Sequence, residues 1–206
     1  MSEWNTAQDL VDRCRLCEAE SVPLLCVPAG SKAQPRLLPP VPTTLLMVAI
    51  APPCGGGHFW DEGVPDRLRD GVYRALGEAL GITLTTVAQF CADGFYLVPA
   101  VRCPSVWGGR DHLPRAAAVR NCSRHLHTSV LAIRPKRVLM LGRVPLRAMS
   151  LAFDLDLPSS VRACRGRQWT LALPHGDMTV AATYFPGNNR HRGFDAIVET
   201  LRNLMR

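Results

Sequence analysis

Four cysteines at widely separated positions constrain this chain more than any other feature. Cys14 and Cys17 form a C-x-x-C near the start. Cys103 follows an apolar run, in Val101-Arg102-Cys103-Pro104, and Cys122 sits inside a helical pattern, in Asn121-Cys122-Ser123. A C-x-x-C puts two thiolates on one tight turn, within reach of the same metal. Two more from distant segments complete the four-sulfur ligation that zinc and iron–sulfur clusters both take. Such a site ties the N-terminal segment to the region 103–122.

The rest of the chain reads as one α/β domain. With 206 residues, 47% of them hydrophobic, it is long enough for one sizeable core. No apolar run reaches the roughly 18 residues of a membrane span. The start, MSEWNTAQDLVDR, lacks a basic region followed by an apolar one, so no secretory signal is read there. Eight cysteines without a signal point to the cytoplasm, where thiols serve as ligands, catalysts or core residues rather than in disulfides. The net charge of +7, with basic clusters at 115–137, 162–167 and 190–192, suits a polyanion such as nucleic acid. A solvated basic face is the alternative.

Residues 5–20 look helical and deliver Cys14 and Cys17, and the proline-rich stretch 21–42 reads as an irregular wrap. Residues 43–51 form a continuous apolar run bounded by prolines, as in a buried strand. Further strands are expected at 95–101, 137–141, 169–173 and 179–183, and helices at 65–80, 114–133, 144–152 and 193–205. The alternation implies a three-layer sandwich: a central, mainly parallel sheet of four to five strands with helices on both faces. Ligands bind such sheets at the C-terminal strand ends. The loops leaving those ends are 52–64, 102–112 and 184–192.

The run FYLVPAVRCPS, the helix segment AAAVRNCSRHL and the strand Pro135-Lys136-Arg137-Val138-Leu139-Met140-Leu141-Gly142 resemble the iron–sulfur branch of the uracil-DNA glycosylase superfamily. That branch carries a strand ending in Lys/Arg-Cys-Arg-Pro, a helix with Asn-Cys and a Pro-Lys-x-x-x-x-Leu-Gly strand. The resemblance runs from Cys14 to the C-terminus. It implies a single domain over 1–206, a [4Fe–4S] cluster on Cys14, Cys17, Cys103 and Cys122, and DNA as partner. The enzyme it implies is a monomeric, monofunctional DNA glycosylase that flips a base out of the stack.

The catalytic motifs depart from that branch at three places. The acidic residue of its first motif is replaced by Ile50, in Ala49-Ile50-Ala51-Pro52-Pro53. The next carboxylates, Asp61 and Glu62, follow Gly55-Gly56-Gly57-His58-Phe59-Trp60. Asp61 is the first candidate to activate water or stabilise a sugar cation, with helix N-capping as the alternative. Phe59 or Trp60 would stack on a flipped base or simply pack in the core. The asparagine that reads uracil is replaced by Pro99, which lacks even an N–H. A bidentate amide contact is worth about 1–3 kcal/mol of discrimination. In the last loop Phe185 replaces a histidine that stabilises the departing base. Asn188, Asn189 and His191 remain there as donors, Asn188 as a catalytic candidate, and Arg190 and Arg192 as phosphate clamps.

Ile50, Pro52, His58, Phe59, Trp60, Pro99 and Phe185 therefore form the expected base pocket. Asn189, Arg190, His191 and Arg192 form the expected DNA contact. The changes point away from plain uracil towards a modified base such as a bulky modified cytosine, in base-excision repair or defence against phage. Two other readings stand beside this one. One is an inactive iron–sulfur DNA-binding protein of the same fold; the other is a zinc site in an unrelated α/β protein. The remaining cysteines, Cys26, Cys54, Cys91 and Cys164, read as buried small hydrophobes, Cys54 being a partial exception because the glycine-rich mouth beside it could expose it.

Overall fold

The computed structural model describes residues 2–23, 38–54, 59–187 and 193–206. Helices α1 (Glu3–Asp12) and α2 (Leu16–Ala19) precede strand β1 (Leu45–Ala49), whose five residues are all buried. Helix α3 (Arg67–Leu80) starts on Asp66, whose carboxylate accepts a hydrogen bond from Arg69 N at 2.6 Å. It stops at Gly81 in the left-handed conformation. Next come α4 (Val87–Ala92), β2 (Phe95–Pro99), β3 (Val106–Trp107) and β4 (Arg110–Asp111). The chain continues through α5 (Ala116–Ile133), β5 (Arg137–Leu141), α6 (Arg143–Phe153) and α7 (Val161–Cys164). It closes with β6 (Trp169–Leu173), β7 (Gly176–Thr183) and α8 (Phe194–Met205).

The main sheet has the order β2-β1-β5-β7-β6. Strands β2, β1, β5 and β7 run parallel, and β6 pairs antiparallel with β7 at the edge. The chain moves one way from β1 to β2 and the other way from β2 to β5. With right-handed crossovers this places α3 and α5 on opposite faces. The packing agrees: α3 lies against α8, while α5 lies against α1 and α6. The expected three-layer α/β sandwich is the observed one. Pro99 ends β2 at the sheet edge, where a missing N–H leaves no ladder bond unmade.

Three departures from the sequence reading appear. The helix expected at 5–20 is broken at residues 13–15. The short helices α4 and α7 were not expected. The third is the β3–β4 hairpin, closed by Gly108 and Gly109 with φ of 57° and 73°. Positive φ at both central residues makes a tight two-residue hairpin turn that glycine alone tolerates easily. His112 N donates to Ser105 O at 2.8 Å and extends the pairing by one step.

Candidate active site

A cavity of about 460 Å³ opens where the parallel strands end. Ala49, Ile50, Ala51, Pro52 and Pro53 line it from the end of β1, and Leu97 and Pro99 from β2. Ser105, Asp111, His112 and Leu113 reach it from the hairpin, Phe185 and Gly187 from beyond β7, and Asp66, Arg67 and Leu68 from the start of α3. The β1–β2 ladder continues past the strands, with Ala100 N donating to Ala49 O and Val101 N to Ile50 O. The wall is therefore fixed by main chain as well as by side chains.

Phe59 and Trp60 also line the cavity, yet they are 4% and 7% exposed. Each is embedded in an aromatic cluster: Phe59 lies 5.1 Å from Phe90, and Trp60 lies 4.9 Å from Tyr96, between ring centroids. Both rings are therefore core residues, as one of the two alternatives had it, and both also border the cavity. Arg69 holds the segment in place. Its guanidinium donates to the carbonyls of Phe59, Asp61 and Val64 at 3.2, 2.8 and 2.7 Å.

The carboxylates sort differently from the sequence expectation. Asp61 and Glu62 are not among the cavity-lining residues. Asp61 Oδ1 accepts from Gly63 N at 3.2 Å, a local turn, and the helix N-cap is Asp66 rather than Asp61. Glu62 accepts a hydrogen bond from Val87 N and so pins the start of α4. The two acids that do line the cavity are Asp66, engaged in capping, and Asp111. One oxygen of Asp111 accepts from Cys54 N at 2.8 Å, across the cavity mouth. Among the described lining residues there is no side-chain amide.

Asp111 and His112 are the functional candidates that sequence reasoning missed. Their signal was Gly108-Gly109, a two-residue hairpin turn that brings the exposed residues Asp111 and His112 to the cavity edge. His58, Asn188, Asn189, Arg190, His191 and Arg192 lie outside the described residues. A second groove of about 630 Å³ adjoins the cavity through His112 and Leu113 and carries Arg115, Arg143 and Arg147. None of these three arginines has an ion-pair partner among the described residues.

On the other side of the 99–105 segment, Cys14, Cys17, Cys103 and Cys122 line one small cavity with Arg102, Asn121 and His125. Cys14 follows α1, Cys17 sits in α2, Cys103 follows β2 and Cys122 lies in mid-α5; both N-terminal helices pack on α5. Three of the thiols have an N–H donor aimed at sulfur. Asn121 Nδ2 lies 3.5 Å from Cys17 and Arg124 Nη2 lies 3.8 Å from Cys14, while the Arg102 backbone bonds Cys122. Burial pushes the Cys122 thiol up to about 12 and also raises that of Cys17. Among the described residues, no group of three or more His, Cys, Asp or Glu is arranged to hold a metal ion. The four thiols line a common space, the sulfur-rich donor set that zinc and iron–sulfur groups both take.

Arg102, which shares this space, is 2% exposed. Its Nη2 donates to Ser129 Oγ at 2.6 Å, but its Nε and Nη1 have no hydrogen-bond partner. Burial draws its pKa down to about 10. A sulfur-rich donor set with N–H bonds to sulfur and an unsatisfied buried cation beside it fits an anionic metal–thiolate group. Of the other cysteines, Cys164 is buried and Cys91 half-buried, both as free thiols. Cys54 corrects the reading of this set as buried hydrophobes: it is disulfide-bonded. Cys26 lies outside the described residues.

The sequence pattern of the uracil DNA glycosylase superfamily matches residues 35–202, and the chain belongs to that superfamily. The class comprises DNA glycosylases, hydrolases of DNA repair, and its substrate is DNA. No curated protein shows a significant match to the chain. Among the described residues, no helix is long and apolar enough to cross a membrane.

Proposed function

We propose that this protein is a monofunctional DNA glycosylase of the iron–sulfur type that excises a modified pyrimidine other than uracil. One observation carries the specificity: around the position of Pro99 the wall is apolar (Ile50, Pro52, Pro53, Leu97, Leu113, Phe185), and although Asp66, Arg67, Ser105, Asp111 and His112 also line the cavity, there is no side-chain amide among the described lining residues. Uracil presents a donor and acceptor edge, and an apolar wall leaves that edge unpaired at a cost. A base bearing a bulky apolar or flexible substituent exchanges water for this wall at a gain. A modified cytosine, met in repair or in phage DNA, has that character.

The base would enter the cavity after flipping, its ring against the edges of Phe59 and Trp60. Asp111 faces the sugar side. One oxygen is fixed by Cys54 N, which leaves the other to stabilise the developing oxocarbenium ion or to orient water. His112, whose Nδ1 lies 3.1 Å from Leu113 O, would hydrogen-bond the departing base through Nε2. Asn188 would add a donor, and Asn189, Arg190, His191 and Arg192 would hold phosphates beside the flipped nucleotide.

Cys14, Cys17, Cys103 and Cys122 would hold a [4Fe–4S] cluster that makes 1–206 one domain. What supports the reading is the four thiols around one cavity, two of them with side-chain N–H donors at sulfur, together with the sequence pattern of the iron–sulfur branch. The cluster would supply a cross-link; no chemistry at the base depends on it.

The deciding experiment incubates the protein with duplexes carrying uracil and a range of modified cytosines and thymines, followed by alkali cleavage at abasic sites. Release of a modified base with little or no uracil release is expected. Uracil release equal to that of every modified base would overturn the specificity. DNA binding without release from any substrate would favour the inactive DNA-binding reading.

A further inference from the structure

We propose that Arg102 is the counter-cation of the group held by the four cysteines, and that its charge, more than its shape, retains that group. The inference rests on the iron–sulfur reading above. Arg102 is the largest of the fully buried side chains. It lines the thiol cavity, has one hydrogen bond to Ser129, and leaves two guanidinium nitrogens unpartnered. The Asp12 carboxylate supports its charge but is not among the residues lining the thiol cavity. A buried cation short of anionic partners is heavily penalised, and an arginine does not escape by losing its proton at ordinary pH. With Nε and Nη1 still unbonded, the cavity that the guanidinium lines is where further negative charge would meet them.

Four neutral thiols do not provide it. Four thiolates on an iron–sulfur core do, because the assembly carries net negative charge. Adding one electron makes that charge larger, so a cation at the wall also favours the reduced state and raises the reduction potential. Neutralising residue 102 removes both effects, whereas a lysine keeps the charge and loses the planar fork and its bond to Ser129.

The test uses the full chain as purified, beside Arg102→Met, Arg102→Gln and Arg102→Lys. Iron and sulfide per chain are measured, then iron release to a colorimetric chelator, then the midpoint of a one-electron titration with dithionite. The lysine variant is expected to release iron at nearly the parental rate. The two neutral variants should release it about tenfold faster or more, with a more negative midpoint.

Release as fast from the lysine variant as from the methionine variant would show that shape decides, and would overturn the proposal. So would parental rates and midpoint in the glutamine variant. If the neutral variants fail to accumulate, the lysine variant decides: loaded and slow to release supports the proposal, iron-free overturns it. A parent chain free of iron and sulfide would overturn the underlying iron–sulfur reading itself, a result distinct from all of these.

Discussion

Asp111 and Asp61 differ by a few tens of residues in sequence and by their side of the cavity wall in space. Asp111 lines the cavity with one oxygen fixed by Cys54 N, whereas Asp61 folds onto Gly63 N. Asp111→Asn should lower single-turnover base release by about 10²–10⁴-fold, the range of a positioned acid–base group, with DNA affinity unchanged. Asp61→Asn should stay within a few-fold of the parent. The reverse ranking would return the catalytic role to Asp61. A second residue-scale effect concerns Cys91, half-buried and pushed up by burial from 9.0 to about 11. Its folded pKa is raised, so the stabilisation is complete below pH 9 and is lost as pH rises through 11. Urea unfolding across this window should show a decline that Cys91→Ala flattens; equal slopes in both proteins would refute it.

Among the elements, strands β5 and β6 fall where the sequence places them, β5 on a buried apolar run after Arg137 and β6 as an edge strand with Leu171 buried. The β3–β4 hairpin has no such run. Its four strand residues, Val106, Trp107, Arg110 and Asp111, are half-exposed or exposed, so periodicity is silent and only the Gly-Gly turn announces it. That one missed element carries Asp111, which is why the fold was legible from sequence and the carboxylate edge of the cavity was not. The four cysteines could be singled out because their spacing and flanking motifs are chemically distinctive, and they line one small cavity. A second element-scale feature is Gly71, inside α3. An added Cβ would come 2.9 Å from Pro186 O. Elsewhere in a helix, Gly→Ala stabilises by about 0.5–1 kcal/mol. Here overpacking should reverse the sign, costing about 1–3 kcal/mol. Because the displaced segment carries Phe185, base release should fall further than thermal stability alone explains. A Gly71→Ala protein more stable than the parent and fully active would contradict this.

Across the whole molecule, the excess positive charge is organised. Arg115, Arg143 and Arg147 line the groove that adjoins the base cavity. Replacing any one with alanine should weaken binding to all DNA sequences alike and flatten the plot of log affinity against log salt by about one unit. Anisotropy titrations at several salt concentrations test this, and an unchanged slope would assign these arginines to a solvated face. Removing Cys14 and Cys17 together should instead reduce the yield of folded protein, since ligand binding and folding are coupled; a well-folded, iron-free double variant with normal base release would separate the cluster from the fold. The segment 99–105 has one further consequence. Pro99 and Ser105 line the base cavity while Arg102 and Cys103 line the thiol cavity. A substitution there answers to two selective demands at once, so this wall resists change. A lineage of such enzymes acquiring new target bases would have to do so by varying the other walls, the loop after β1 and the loop after β7, which makes the substrate range evolvable from two directions and closed from the third.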